Sequence, residues 1–134
     1  MRKKLSKGKE LKKLDTIFSR YIRLKHADHG DICICVTCGV QKHYKEMHAG
    51  HFIPRGCHLT RFDERNVHPQ CCGCNTYRNG EQAKYLIYIE NTYGREAVDE
   101  LMELERQWKA GTPWVGIGEI RELQVKYKNT NKLL

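Results

Sequence analysis

The sequence predicts an α+β fold in which helical segments flank a small cysteine-rich centre. Both ends of the 134-residue chain carry apolar residues at helical spacing, whereas residues 31–75 hold all seven cysteines and are too irregular for long helices. Two Cys-x-x-Cys pairs, Cys35/Cys38 and Cys71/Cys74, lie at the two ends of this centre. These observations predict one small domain whose modest core is reinforced by a metal ion.

Apolar spacing and turn residues define the predicted elements. In chain order they are a helix at 5–25 with one apolar and one basic face, a strand at 47–53 ended by Pro54, a helix from Asn75 whose start is delayed or bent by Asn79-Gly80, a helix at 94–109 after a break at Tyr93-Gly94, and a short helix at 117–127. We therefore divide the chain into a basic amphipathic helical arm (1–30), a core (31–93) and a C-terminal helical extension (94–134).

The excess positive charge of the chain lies in the predicted arm. The net charge is +8, and residues 1–25 carry ten Lys or Arg against two acids, so the remaining residues are neutral overall. A basic helix face of this kind binds phosphates through counterion release, although it also suits a solvated face that only keeps the protein soluble. The candidate nucleic-acid contacts are Arg2, Lys3, Lys4, Lys7, Lys9, Lys12, Lys13 and, after the predicted strand, Arg55.

The composition also excludes classes of protein. No apolar run approaches the roughly 20 residues that span a bilayer, and the charged N-terminus has no apolar signal core. We therefore expect a cytoplasmic protein without a membrane partner, in which the thiols stay reduced.

The four paired cysteines have the spacing of a zinc site. In the absence of a signal peptide, two Cys-x-x-Cys pairs favour a structural Zn²⁺ over disulfides, and we assign Cys35, Cys38, Cys71 and Cys74 as its ligands. A cluster of free buried cysteines is the alternative. The 32 residues between the pairs exceed an ordinary ribbon loop and must carry structure of their own. The remaining cysteines have no partner at this spacing: Cys33, Cys57 and Cys72.

The segment between the cysteine pairs carries residue types suited to phosphodiester hydrolysis. It contains His48-Ala-Gly-His51-Phe-Ile-Pro54, then Asn66, and Asn75 follows the second pair directly. A neutral imidazole accepts a proton from water near pH 7, and a divalent metal neutralises charge on a phosphate. This pattern resembles the His-Asn-His (HNH) nuclease motif, whose fold is a β-hairpin and a helix around one catalytic metal.

The resemblance implies a role for each residue by its position. His51 matches the general base, Asn66 the residue that ties the loop and orients the histidine, and Asn75 a ligand of the catalytic Mg²⁺ or Mn²⁺. Arg78, one helical turn after Asn75, is suited to hold the phosphate. Residues 31–93 would then form a zinc-bound ββα-metal (HNH) core, with an N-terminal basic helix and C-terminal helices. Each residue also has a structural alternative: a hydrogen-bonded surface histidine for His51, a turn former for Asn66 and a helix N-cap for Asn75.

The sequence departs from this pattern at Gly50. The family usually places Asp, Glu or His there as a metal ligand, and glycine offers no side chain. His48 is the obvious substitute, and the weaker ones are Asp63, Glu64 and His68. His68 is more simply structural, and the simplest expectation for four other histidines is a surface position: His26, His29, His43 and His58.

The similarity to one family goes further than the motif. Residues 48–54 and 61–71 look like the NinG (Rap) recombination proteins of lambda-like phages, and the resemblance covers roughly residues 33–110. It implies a phage or prophage origin and a structure-selective endonuclease that cuts branched DNA, including Holliday junctions and D-loops, during recombination. Symmetric cutting of a junction calls for two active sites, hence a homodimer. The apolar stripes at 5–25 and 82–109 could form its interface or simply cover the small core.

Two other functions remain open at this point. One is a zinc-dependent DNA-binding module without catalysis, which Gly50 favours. The other is a general HNH nicking endonuclease that cuts linear duplex as readily as junctions.

Overall fold

The computed structural model describes residues 6–134 and has the predicted mixed α+β architecture. Its elements are α1 (Lys7–Lys25), β1 (Ile32–Ile34), β2 (Gln41–His43), a 3₁₀ turn (Tyr44–Glu46), β3 (His48–His51), β4 (Val67–Gln70), a π-helical turn (Gly73–Tyr77), α2 (Gln82–Tyr93), α3 (Arg95–Lys109) and α4 (Ile117–Asn131). Arg2, Lys3 and Lys4, among the candidate nucleic-acid contacts, lie outside the described residues.

The strands form two separate antiparallel hairpins. β1 pairs with β2, and β3 pairs with β4 in a register that sets His48 opposite Gln70 and His51 opposite Val67. Only β3 was predicted, because strands of three or four residues are too short to show an alternating pattern. The β3–β4 hairpin brings residue 51 and the loop after it next to the segment that precedes α2.

The helix predicted from Asn75 is divided in two. Asn79, Gly80 and Glu81 all have positive φ (51°, 84° and 49°), a conformation that no helix continues through. The π-helical turn therefore ends before them and α2 begins at Gln82. The sequence signal at Asn79-Gly80 marks this interruption, and the predicted break between α2 and α3 falls at Gly94, whose φ is 95°.

The apolar stripe of α1 is buried within the chain. Leu14, Phe18 and Ile22 pack with Val67 of β4 and with Ile120 and Tyr127 of α4. A second cluster joins α2 and α3 to the segment after β3, through Phe52, Ile53, Tyr85, Ile89, Val98 and Leu101. Both stripes that the sequence left open thus cover cores of this chain. The β3–β4 hairpin and the residues just after β3 contribute to both cores. No helix among residues 6–134 is long and apolar enough to cross a membrane.

Candidate functional site

The structure brings the four paired cysteines together. The sulfur atoms of Cys35, Cys38, Cys71 and Cys74 all lie within 4.8 Å of one another, the one group of three or more His, Cys, Asp or Glu ligands that converges within residues 6–134. Cys38 Sγ and Cys71 Sγ are 3.7 Å apart, and a tetrahedron with Zn–S bonds of about 2.3 Å has edges of about 3.8 Å. The cluster therefore has the composition and spacing to hold one structural Zn²⁺.

The thiols of this cluster differ in acidity. Burial raises the pKa of Cys35, but hydrogen bonds from Thr37 and from the backbone amides of Cys71 and Cys38 outweigh it and lower that pKa to about 6. The amide of Val40 lowers the pKa of Cys38, yet burial and hydrogen bonding with the other thiols raise it to about 12. Four thiolates this close repel one another, so a cation is needed to hold all of them deprotonated.

The other three cysteines lie outside the cluster. Cys33 is buried, and its Sγ donates to the carbonyl oxygen of Arg23 at 3.1 Å. Cys57 belongs to the core formed by α2 and α3, and Cys72 is partly exposed. Packing or partial exposure accounts for each of them.

His51 is the last residue of β3. One nitrogen of its ring is held by a hydrogen bond, and within residues 6–134 the other has no hydrogen-bond partner. Its Nε2 lies 2.9 Å from the carbonyl oxygen of Arg61, which can only accept, so Nε2 carries the hydrogen and Nδ1 carries the lone pair. Burial lowers the pKa of His51 below its usual value, although the carbonyl of Arg61 and the charge of Asp15 partly oppose this. The ring is therefore neutral near pH 7 and has a free acceptor nitrogen.

The backbone that fixes His51 is itself held by α1. Arg61 is 9% exposed, and its guanidinium pairs with the carboxylate of Asp15 through Nε, at 2.9 Å, and through Nη2. An Arg–carboxylate pair with two parallel contacts has a defined geometry, so Asp15 fixes the residue whose carbonyl binds the histidine. Sequence reasoning missed both residues; the one signal was that Asp15 is an acid within a basic helix.

Asn66 lies where a loop-tying residue would have to lie. It is fully buried, its Oδ1 accepts from Ile53 N at 2.8 Å, and its Nδ2 donates to Ile53 O at 3.0 Å and Thr60 O at 3.1 Å. The chain just after His51 is thus bound to the far side of the loop at residues 60–66. The same hydrogen bonds of Asn66 close the loop and hold the chain after His51. The two roles considered for Asn66 therefore require one and the same geometry.

His48 and Asn75 are brought into contact from opposite sides of the site. Asn75 Nδ2 lies 3.0 Å from His48 Nδ1, and the backbone nitrogen of Asn75 donates to Cys71 O at 2.9 Å. Asn75 is thus attached to the cysteine cluster, while His48 begins β3. Turning the Asn75 amide would place an oxygen beside the lone pair of His48, the type of donor pair that binds a divalent cation.

The other substitutes that the sequence offered for a ligand at position 50 are already engaged. Asp63 pairs with Arg65, and Glu64 accepts from Tyr21 at 2.6 Å and pairs with Lys25 at 2.7 Å.

His68 is structural, as the sequence favoured. It is fully buried, and its Nδ1 and Nε2 lie 3.0 and 2.8 Å from the hydroxyls of Tyr85 and Tyr93. Burial lowers its pKa to about 3, so the ring stays neutral. Tyr85 in turn donates to Gly50 O at 2.7 Å, which fixes the peptide just before His51.

Three of the histidines expected at the surface are half-buried instead: His26, His43 and His58. His58 stacks on Trp108 with ring centroids 4.7 Å apart, and His26 lies 5.3 Å from His68. Burial lowers the pKa of both. Neither position is predictable locally, because the partners come from distant parts of the chain.

A cleft of about 440 Å³ opens over the candidate residues. It is lined by Ala49, His51, Pro54, Arg55, Asn75, Asn79, Gly80 and Gln82. Arg55, whose side chain is 63% exposed, is the one cationic residue among the described residues that line this cleft. Arg78 does not line the cleft: its Nη2 lies 3.5 Å from Cys74 Sγ and its Nε pairs with Glu81 at 3.3 Å. A larger cavity of about 610 Å³ beside His26 contains none of these residues except the cluster ligand Cys35, so size alone does not locate the site.

Comparison with known proteins finds relatives among bacteriophage proteins. The family model described as "Bacteriophage Lambda NinG protein" matches residues 1–134. The protein ninG of Escherichia phage 933W is 32% identical over 99 residues, which are 73% of this chain and 46% of that protein. The protein ninG of Escherichia phage lambda is 35% identical over 68 residues, 50% of this chain and 33% of that protein. The chain thus spans less than half the length of these curated relatives, and no solved structure matches it.

Replacing Cys71 by serine should remove the metal and weaken the fold. We expect one zinc per chain in the unaltered protein and none in Cys71→Ser, with a loss of stability of about 3 kcal/mol or more, because metal binding and folding are coupled. Metal analysis by mass spectrometry and thermal unfolding measure the two effects. Cys72→Ser is the matched control and should keep its zinc; a full zinc content in Cys71→Ser would show that the cluster is not the ligand set.

Proposed function

Because the chain belongs to the bacteriophage lambda NinG family, we propose that it is a metal-dependent endonuclease that cuts branched DNA, with His51 as its general base. The observation that carries this proposal is the fixed orientation of His51. Its Nε2 is held by the carbonyl of Arg61, so the unprotonated Nδ1 is the atom available to take a proton from water. Such an orienting hydrogen bond is what a catalytic histidine needs.

The order of the elements supports an HNH-type assignment. The β3–β4 hairpin carries His51 on its first strand, and the π-helical turn after it carries Asn75, directly beside the cysteine cluster. Asn66 binds the loop between the strands to the chain after His51. A hairpin and a helical segment thus enclose the three residues that the sequence pattern singled out.

His48 and Asn75 are the residues that would hold a catalytic Mg²⁺ or Mn²⁺. Their side chains already touch, and Asn75 lines the His51 cleft. The ion would supply charge neutralisation at the phosphate and at the leaving oxygen. The chain's own residues would do the rest: His51 accepts the proton of the attacking water, and Arg55 attracts the phosphate into the cleft.

The basic face of α1 is the proposed DNA contact outside the cleft. Lys7, Lys9, Lys12 and Lys13 are exposed. Burial and the charge of Arg61 lower the pKa of His58 in the loop after β3, and the charge of Lys7 contributes, so the field of the start of α1 reaches that loop. Contacts between these lysines and the DNA phosphates would position a duplex arm without reading its base sequence.

A homodimer is part of the proposal on the grounds of symmetric junction cutting. Within residues 6–134 the two apolar stripes cover cores of the same chain, so a partner would bind elsewhere on the surface.

His51→Ala should abolish cleavage of a synthetic four-way junction in the presence of Mg²⁺ or Mn²⁺. We expect a loss of about 10²–10⁴-fold, since a general base contributes that much, with junction binding and zinc content unchanged. His29→Ala, in the exposed turn after α1, is the control and should cut normally. Full cutting by His51→Ala would refute the base assignment. An unaltered protein that binds junctions but never nicks them would favour the DNA-binding module, and equal cutting of linear duplex would favour the general nicking enzyme.

Asp15→Asn should lower the cleavage rate and change its pH dependence. The substitution removes a negative charge that raises the pKa of His51, so this pKa, already below its ordinary value of about 6.5, falls further. The acid limb of the rate profile should therefore move to lower pH, while the maximal rate drops because Arg61 is less well fixed. Asp99→Asn, an exposed acid on α3 that pairs with Arg95 at 3.2 Å, is the control. An unmoved acid limb would show that Asp15 does not act on His51.

Replacing Lys7, Lys9 and Lys12 by alanine should weaken DNA binding and flatten its dependence on salt. Each lost phosphate contact reduces the slope of log K against log salt by about 0.9, so the expected reduction is about 2–3. Deleting the helix is not a usable test, because it would remove Leu14, Phe18 and Ile22 from the core. The control removes three exposed charges from α3: Arg95, Arg106 and Lys109. If the slope of log K against log salt is the same in the α1 variant as in the unaltered protein, α1 has no role in binding DNA.

A further inference from the structure

Gln70, the last residue of β4, carries a buried oxygen without a partner. The side chain is fully buried, and its Nε2 donates to Gly80 O at 3.0 Å and to Thr37 Oγ1 at 3.1 Å. The carbonyl of Gly80 can only accept, so the amide cannot be turned around and its oxygen must face the other way. Within residues 6–134 that Oε1 has no hydrogen-bond partner.

The unpaired oxygen lies where the side chain of residue 50 would otherwise be. A Cβ added to Gly50 would overlap Gln70 Oε1 and come within 2.7 Å of Gln70 Cδ. Any side chain at position 50 is therefore excluded by Gln70. Gly50 of β3 has no side chain, and Gln70 of β4 places its amide oxygen in the space that a side chain at position 50 would occupy.

This oxygen is on the face of the hairpin that carries the other proposed metal ligands. His48 and Gly50 are two residues apart on β3 and share a face, and His48 is the register partner of Gln70. His48 touches Asn75, and Gly80, which accepts from Gln70, lines the His51 cleft together with Asn75. The three candidate donors come from three different segments: His48 and Gln70 share a face of the hairpin, and Asn75 touches His48.

We propose that the amide oxygen of Gln70 is a ligand of the divalent metal, in place of a side chain at position 50. This inference rests on the proposed function, because it concerns the same metal. Leaving a buried carbonyl unpaired is costly, and a hard cation such as Mg²⁺ or Mn²⁺ accepts amide oxygens. Outside the cysteine cluster, no group of three His, Cys, Asp or Glu donors converges among residues 6–134, and the three proposed ligands are all neutral side chains.

Neutral ligands have a consequence for how the ion is bound. Mg²⁺ sites usually combine a few protein donors with water and substrate phosphates. A site of one imidazole and two amide oxygens would bind the ion weakly in the free protein and more tightly once a DNA phosphate supplies negative charge. The metal and the DNA should therefore bind cooperatively.

The test is the affinity of the zinc-loaded full chain for Mn²⁺, followed by electron paramagnetic resonance of the free ion. Gln70→Met removes the oxygen but keeps the volume, and it should weaken Mn²⁺ binding at least tenfold while the zinc content stays at one per chain. Gln107→Met makes the same substitution on α3, where the side-chain amide donates to Glu103, and it should bind Mn²⁺ as the unaltered protein does. Mn²⁺ affinity unchanged in Gln70→Met would overturn the proposal.

A double variant tests the same arrangement from the other strand. In Gly50→Asp with Gln70→Ala, the smaller residue 70 makes room for a carboxylate at position 50, and Mn²⁺ affinity should return to the original level or exceed it. This variant decides the question if Gln70→Met does not fold, because failure to bind Mn²⁺ in a folded, zinc-loaded double variant would overturn the proposal.

His48→Ala separates this inference from the proposed function. If His48→Ala loses Mn²⁺ and Gln70→Met does not, the metal site stands and the role of Gln70 fails. If the unaltered protein binds no Mn²⁺ beyond its zinc, with or without junction DNA, the proposed metal site itself fails and the role of Gln70 with it.

Discussion

The cysteine cluster is the constraint on which the rest of the site depends. It joins the turn after β1 to the segment after β4, so both ends of residues 39–70 are fixed at one point. Asn75 follows the last cysteine directly and donates its backbone N–H to Cys71, so its side chain reaches His48 from a fixed position. In a chain this small the apolar cores alone would hold such a loop poorly, and a metal at its base would stabilise it by closing a long loop.

A second constraint comes from α1, which acts on the site in two ways. One face carries exposed lysines suited to DNA, while Asp15 on the same helix fixes Arg61 and through it His51. The apolar stripe of α1 packs against β4 and α4 and so sets the position of this helix. That packing positions Asp15, whose ion pair with Arg61 in turn orients His51. A helix that looks like a separate arm in the sequence thereby supports the residue whose carbonyl fixes His51.

The sequence predicted what local patterns determine. Helical spacing located α1, α3 and α4, glycine marked the break at Gly94, and cysteine spacing named the cluster. It could not predict the β1–β2 hairpin, whose strands are too short to alternate, or the contacts of Asp15 and Gln70, whose partners are 46 and up to 33 residues away along the chain. Arg78 is a further case in which local spacing was not sufficient. Helical spacing predicted its side chain near Asn75, but the helix is divided and the side chain lies towards Cys74.

Gly50 first looked like a missing ligand, and the packing around it gives a different account. Gln70 fills the space of a side chain at position 50, so glycine is required there by sterics whatever the chemistry. Among residues 6–134, the oxygen that Gln70 places in that space has no hydrogen-bond donor, and the neighbouring His51 is neutral because burial lowers its pKa. A site built from neutral donors carries little negative charge of its own to repel a phosphate. Under the proposed function, the same donors would leave a bound divalent ion strongly electrophilic, so charge on the DNA would complete its coordination and couple the binding of substrate and metal.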